Sequence, residues 1–365
     1  MDAVDYVPRL VRACLDNDRQ LVESVSLTIS RRLRKDKPNL ASEIASALAS
    51  ANSNSAATRA SGITPLPVDK ETRLSLVELV EPTEMPEPIL DHLTIKELSD
   101  FLKERSLMER FFEDGIEPSN SILFVGSPGV GKTYTAHWLA YMLELPLITL
   151  DLATSISSYL GRSGQNIKSV FDYARAQPSV LLLDEFDAIA KRRDDQGDLG
   201  ELKRLVNVLL KEIETCPKSS VILAATNHPE LLDRAMWRRF DRVIEVQLPD
   251  MDERVNLISR HLPQDRFFLS ESIRDYLAAH SSGISAADLC KVCEHIKRQS
   301  VMNPDTSLEV ISLAELYSRL KPKTKLEKKE ACKMVKEASP ALTTRDIARI
   351  VGVGASTVSR YLKEE

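Results

Sequence analysis

Residues 122–133 read ILFVGSPGVGKT, a short apolar run that ends abruptly in glycines. Four large apolar residues bounded by turn residues are the pattern of a strand buried on both faces. The G-x-x-x-x-G-K-T that follows lets successive backbone N–H groups curl around phosphate oxygens at a helix N-terminus, where the dipole favours anions. Gly126, Ser127, Pro128, Gly129, Val130, Gly131, Lys132, Thr133 and Tyr134 are therefore the expected nucleotide-binding residues. Lys132 would reach the β- and γ-phosphates of ATP, and the Thr133 hydroxyl would ligate Mg²⁺. The helix-forming YTAHWLAYML at 134–143 supplies the context this loop requires.

Outward from this loop, further apolar runs alternate with helical stretches: LITL, VLLLD, VILAAT and VIEVQL. Five buried strands separated by helices predict a five-stranded parallel sheet with helices on both faces. Fifty-two residues after Lys132, VLLLDEFDAIA ends its strand in two acids. Asp184 is placed to hold Mg²⁺, and Glu185 to polarise an attacking water as general base. A helix-capping role would account for one carboxylate but not for the pair. VILAATNHPELLD then puts Asn227 at a strand end, where a neutral amide can orient water beside the γ-phosphate. Arg238 and Arg239 in LLDRAMWRRFDRVIEVQLPD are adjacent cations. Such pairs are most often surface charge. Their position after Asn227 instead fits guanidiniums offered to a neighbouring subunit, an arrangement that adds about 10³- to 10⁵-fold in rate.

These motifs, together with SGISAADL at 282–289, resemble those of an AAA ATPase of the AAA+ superfamily. The resemblance covers about 91–320. It implies a P-loop αβα sandwich with a helical lid, a ring of identical subunits, usually a hexamer, and ATP bound with Mg²⁺ between them. WRRFDR lacks the Pro-Gly that many members carry between the two arginines, which leaves open which of them makes the principal contact.

The same resemblance bears on the substrate. In SISSYLGRSGQNIKSVF, 155–171, Tyr159, Leu160 and Gly161 match the aromatic–apolar–Gly loop with which AAA proteins grip polypeptide in a central pore. A ring of tyrosines can hold any chain by apolar contact, and glycine lets the loop bend. Arg162 and Gly164 stand where the family carries acids, so this loop is more basic than usual. DNA-handling members generally lack the aromatic loop and carry a lid arginine, so a protein substrate is the expectation. A DNA-transaction ATPase, such as a transposition helper, is the competing class. The helical front, VPRLVRACL through NLASEIASALA, is similar to that of bacterial AAA ATPases found with a subtilisin-like serine protease. A generic helical docking domain fits it equally.

LTTRDIARIVGVGASTVSRYL, 342–362, has the spacing of a helix-turn-helix. Ile347, Val351, Val353 and Val358 are its apolar positions, Ala348 is small where the helices approach, Gly352 falls at the turn and Thr344 is positioned to cap the first helix. Ser356, Thr357, Ser359 and Arg360 would then face outward, as a major-groove reader requires. A small bundle docked on another protein is the bland alternative. Basic charge concentrates at this end: eleven Lys and Arg face six Asp and Glu across 321–365, while the whole chain of 365 residues carries a net −5.

The expected organisation is a helical N-terminal unit over 1–50, a Ser/Pro-rich linker over 51–90, the large nucleotide-binding subdomain over 91–250, the lid over 251–320, and a basic connector with helix-turn-helix over 321–365. Small all-α units thus flank the α/β engine at both ends. Five scattered cysteines, with no second pair to complete a zinc site around Cys290 and Cys293, predict reduced thiols and a cytoplasmic location. No apolar run is long enough to cross a membrane, so no membrane partner is expected.

Overall fold

Each strand of a sheet covered on both sides must send alternate side chains into two different cores. That is how the apolar runs are used here. In a computed structural model, the described residues are 66–68, 75–152, 163–191, 199–320, 322 and 324–363, with Val25, Ile29 and Lys37. The chain divides into two units, 1–65 and 66–365, and the second holds the sheet, the lid and the C-terminal helices. The expected N-terminal helical unit and the Tyr159–Gly161 loop fall outside the described residues.

The second unit opens with β1 (Glu78–Val80), α1 (His92–Ser106) and α2 (Met108–Glu113). β2 (Ser121–Val125), α3 (Lys132–Met142), β3 (Leu147–Asp151), α4 (Ser163–Arg175) and β4 (Val180–Asp184) follow. Then come α5 (Ala188–Lys191), α6 (Leu199–Glu214), β5 (Val221–Thr226), α7 (Arg234–Trp237) and β6 (Arg242–Glu245). The strand order is β1-β3-β4-β5-β2-β6, parallel throughout except for β1. The five expected parallel strands are all present. The sixth, from the RLSLVELV segment, adds antiparallel at the β3 edge, pairing Leu79 with Ile148.

Alternation assigns the two cores. Leu123, Ile148, Leu150, Leu181, Leu183 and Ile222 pack with α4 and α6 through Ile167, Val170, Phe171, Leu205 and Leu209. Ile122, Phe124, Leu147, Val180, Leu182 and Leu223 pack on the other face with Leu98 and Phe101 of α1 and Trp138 and Leu139 of α3. Burying each such side chain contributes about 1.5–3 kcal/mol, so the central strands are fixed from both sides and their carboxyl ends are held in register.

The rest is helical: α8 (Met251–His261), α9 (Glu271–Ala279), α10 (Ala286–Met302), α11 (Leu308–Leu320), α12 (Lys325–Ala338), α13 (Thr344–Val351) and α14 (Ala355–Lys363). One continuous buried cluster runs from Leu257 and Ile258 through Leu313 and Tyr317 to Val335, Ile347, Val358 and Tyr361. The C-terminal helices are thus packed against the lid rather than held at a distance. Arg349 donates to Thr306 Oγ1 at 3.1 Å and Ser339 to Glu309 Oε2 at 3.1 Å, which fasten the two parts polarly as well.

Thr343, not Thr344, caps α13. Its Oγ1 accepts from Asp346 N at 3.3 Å while Asp346 Oδ2 accepts from Thr343 N at 2.9 Å. The reciprocal box needs an acid at the third helical position, and only Thr343 has one there. Gly352 ends α13 in the left-handed region at φ 72°. Among the described residues no helix is long and apolar enough to cross a membrane.

Candidate functional site

The carboxyl ends of β2, β4 and β5 converge beside the loop that follows β2. Gly126 has φ 151°, and a Cβ there would sit 2.1 Å from Val246 O, so only glycine lets the loop leave the strand this close to β6. Gly129, at φ 78°, presses on the lid: a Cβ would lie 2.7 Å from Ser285 Oγ, and its carbonyl accepts from Ala287 N at 2.9 Å. Gly131 caps α3 in the left-handed conformation, leaving the first N–H groups of that helix facing the loop's concavity.

Lys132 is buried, and its Nζ donates to Gly126 O at 2.7 Å, Ser127 O at 2.9 Å and Asn227 Oδ1 at 2.6 Å. Burial lowers its pKa to about 8, and the charges of Asp184 and Asp187 oppose that shift. The ammonium therefore curls back on the loop, held by groups that phosphate oxygens can replace. Thr133 Oγ1 donates to Asp184 Oδ2 at 3.2 Å, so the two side chains assigned to Mg²⁺ already meet. Asp184 Oδ1 accepts from Glu185 N at 2.8 Å. Glu185 is exposed and adopts φ 52°, a conformation disfavoured without glycine, and it lines the cavity beside Lys132. Phe186 N donates to Ala225 O at 2.9 Å, which ties the turn after β4 to β5.

Sequence reasoning passed over Asp187. It is buried, and its Oδ1 accepts from Thr226 Oγ1 at 3.0 Å and Asn227 N at 3.2 Å. Asp187 thereby sets the direction of Asn227 from the end of β4. Its signal lay in the third acid of DEFD, two residues beyond Glu185. Asp241 in RRFDR was missed as well: Oδ2 accepts from Asn120 N, Ser121 N and Ser121 Oγ at 2.8, 3.1 and 2.9 Å, which anchors the start of β2.

Lys132, Thr133, Asp184, Glu185 and Asn227 form one end of a cavity of about 700 Å³, within the range of small-molecule sites. Its other end is apolar and shared between the segment before α1 and the lid, with Ile89, Leu90, Leu257 and Ala287 in the wall. The Pro-rich stretch read as linker is part of this wall: Tyr134 donates to Pro86 O at 2.7 Å and Arg260 to Glu87 O at 2.6 Å. Cys290 Sγ lies 3.1 Å from His261 Nε2, with burial raising the thiol pKa and lowering that of the imidazole. A glycine loop that a Cβ would block, a lysine bound only by displaceable acceptors and a hydroxyl–carboxylate pair at one end fit a nucleoside triphosphate with Mg²⁺.

Residues 122–248 match the family described as ATPase family associated with various cellular activities (AAA). The chain carries an AAA ATPase domain. It is 40% identical over 189 residues to the uncharacterized AAA family ATPase y4kL of Sinorhizobium fredii (strain NBRC 101917 / NGR234), covering 52% of this chain and 57% of that protein. It is 29% identical over 276 residues to the ATP-dependent zinc metalloprotease FTSH 7, chloroplastic, of Arabidopsis thaliana, covering 73% of this chain and 32% of that one. The chain thus spans just over half the length of the first relative and about a third of the second.

Other predicted residues lie away from the cavity. Arg238 and Arg239 follow α7 and are exposed. Arg239 pairs with Glu214 of α6, whereas the Arg238 guanidinium has no ion pair among the described residues. Ser356, Ser359 and Arg360 are exposed on α14, Thr357 is half-buried, and Arg360 lies over the Tyr361 ring. Cys216, Cys290, Cys293 and Cys332 are free thiols, and no group of three or more His, Cys, Asp or Glu side chains that could hold a metal ion exists among the described residues.

Proposed function

We propose that this chain hydrolyses ATP between the subunits of a ring and uses the cycle to remodel or thread protein substrates, with its C-terminal helices placing the machine on duplex DNA. The observation that carries the proposal is the meeting of Lys132, Thr133, Asp184, Glu185 and Asn227 at the polar end of one cavity. Lys132 would exchange its loop carbonyls for the β- and γ-phosphates. Thr133 and Asp184 would hold Mg²⁺, which neutralises charge on the phosphates. Glu185 would take the proton of the attacking water, and Asn227, steered by Asp187, would orient it. Arg238 is favoured over Arg239 as the guanidinium offered to a neighbour, because Glu214 already holds Arg239. A hexamer is the expected ring.

Two features support a protein substrate: the Tyr159-Leu160-Gly161 sequence, and similarity to a relative whose name describes an ATP-dependent protease. A subtilisin-like protease partner belongs to the same reading through the N-terminal helices. DNA placement rests on the exposed Ser356, Ser359 and Arg360 and the local basic charge. Six copies on one ring would raise weak contacts by about 10²- to 10⁴-fold in avidity where the geometry permits. The competing DNA-transaction reading draws on the same helices.

The test is the ATPase rate of the purified chain alone, with an unfolded protein, and with duplex DNA, each beside Tyr159→Ala. Threading predicts stimulation by unfolded protein that disappears in the variant. Stimulation by DNA alone, indifferent to Tyr159, would overturn it in favour of a DNA-transaction ATPase.

A further inference from the structure

Against the apolar end of the nucleotide cavity lies a second, smaller one of about 100 Å³. The two share a wall made of Ile89, Leu90, Val130 and Ala286. Three carboxylates line the small cavity: Asp91, Asp250 and Glu253. Two of them are occupied by caps. Asp91 Oδ1 accepts from Leu93 N and Thr94 N, both at 3.0 Å, and Asp250 Oδ1 accepts from Glu253 N at 2.8 Å. Glu253 closes its capping box with one oxygen, Oε2, which accepts from Asp250 N at 2.8 Å. The other oxygen, Oε1, is buried and has no hydrogen-bond partner among the described residues, on a residue only 9% exposed.

A buried carboxylate oxygen without a donor is expensive, and a folded protein that keeps one generally supplies the donor from elsewhere. No lysine, arginine or histidine lines the small cavity. Burial raises the Glu253 pKa, and the nearby Asp250 and Asp91 charges add to that, so a donor would relieve several costs at once. The wall shared with the nucleotide cavity points to where the donor comes from. Adenine carries an amino group on its six-membered ring; guanine and hypoxanthine carry a carbonyl oxygen at that position, which would face Oε1 as a second acceptor.

We propose that Glu253 is a base-specificity determinant of the nucleotide site, its Oε1 accepting a hydrogen bond from the exocyclic amino group of adenine, directly or through one water held in the small cavity. The inference rests on the reading of the large cavity as an ATP site. It assigns the selectivity to a side chain at the first turn of α8, where the large subdomain meets the lid. A cavity of this size has room for the amino edge or for ordered water.

The experiment is calorimetric titration of the full chain with Mg-ADP, Mg-IDP and Mg-N6,N6-dimethyl-ADP, which avoids turnover. The wild-type chain should bind ADP about 10- to 100-fold more tightly than IDP, the size expected for a hydrogen bond to a buried charged acceptor. Dimethyl-ADP, which has no donor there, should bind at least as weakly as IDP. Glu253→Gln is the informative variant. Its single amide oxygen is needed at Asp250 N, as in other capping boxes, so the amide NH₂ would face the cavity and the preference should collapse or invert toward IDP. A residue that merely caps α8 would leave the ADP-to-IDP ratio unmoved. Equal binding of ADP, IDP and dimethyl-ADP by the wild-type chain would overturn the proposal without any variant, as would an unchanged ratio in Glu253→Gln. Failure to bind any of the three would remove the ATP-site reading instead.

Discussion

At Lys132, position and protonation are coupled. Its ammonium is buried among carbonyls, and burial brings its pKa down to about 8 in the free chain. Phosphate oxygens arriving beside it favour the charged form and raise that value again. Below about pH 8 the lysine is charged both before and after binding, so this group gives no pH dependence. Above about pH 8 the free chain loses its proton and must regain one on binding, so affinity for ATP should fall with rising pH by up to about tenfold per unit. Calorimetry at about pH 8.5 in two buffers of different ionisation enthalpy should register the proton uptake as different observed heats; identical observed heats in the two buffers would contradict it. Lys132, Thr133 and Asp184 were legible in the sequence because loop and strand fix their spacing. Asp187 was not: its aim at Asn227 depends on the left-handed turn at Glu185, which reverses the chain by an amount no periodicity records.

Among the elements, the five parallel strands were legible because each is apolar on both faces, and β1 was harder because a three-residue edge strand inside a proline-rich stretch has little pattern to offer. Helix α13 was legible at its Gly352 end and misread at its start, where Thr343 and Thr344 are adjacent and Asp346 decides for Thr343. At φ 72° the space around Gly352 is open, so alanine there meets no clash and isolates the backbone term. Gly352→Ala should destabilise by about 1–2 kcal/mol, read as a lower denaturant midpoint at unchanged slope. A midpoint equal to the wild type would mean that the turn is not held in this conformation.

Across the molecule, the basic tail and the lid share their interior. The +5 charge of 321–365 drew a boundary at 321, yet Ala331, Cys332 and Val335 sit on one face of the Lys-rich α12 and carry the lid core onward to Ile347, Val351 and Val358. Lysines on the outer face hid that stripe from a composition count. Removing residues after Leu320 should therefore strip the lid rather than trim a tether. The shortened chain should melt roughly 10 °C or more below the full one, since each kcal/mol shifts a unit of this size by about 2–4 °C; a midpoint within about 2 °C would mean the helices stand apart. The fold places the nucleotide cavity between that lid and the sheet, with Glu185 at its polar end. The most direct test of ATP hydrolysis at this site is turnover by the wild-type chain and by Glu185→Gln at matched ATP occupancy. The variant should bind ATP as the wild type does and turn it over about 10²- to 10⁴-fold more slowly, as loss of a general base implies. Normal turnover by Glu185→Gln would contradict the assignment of this cavity as the catalytic site.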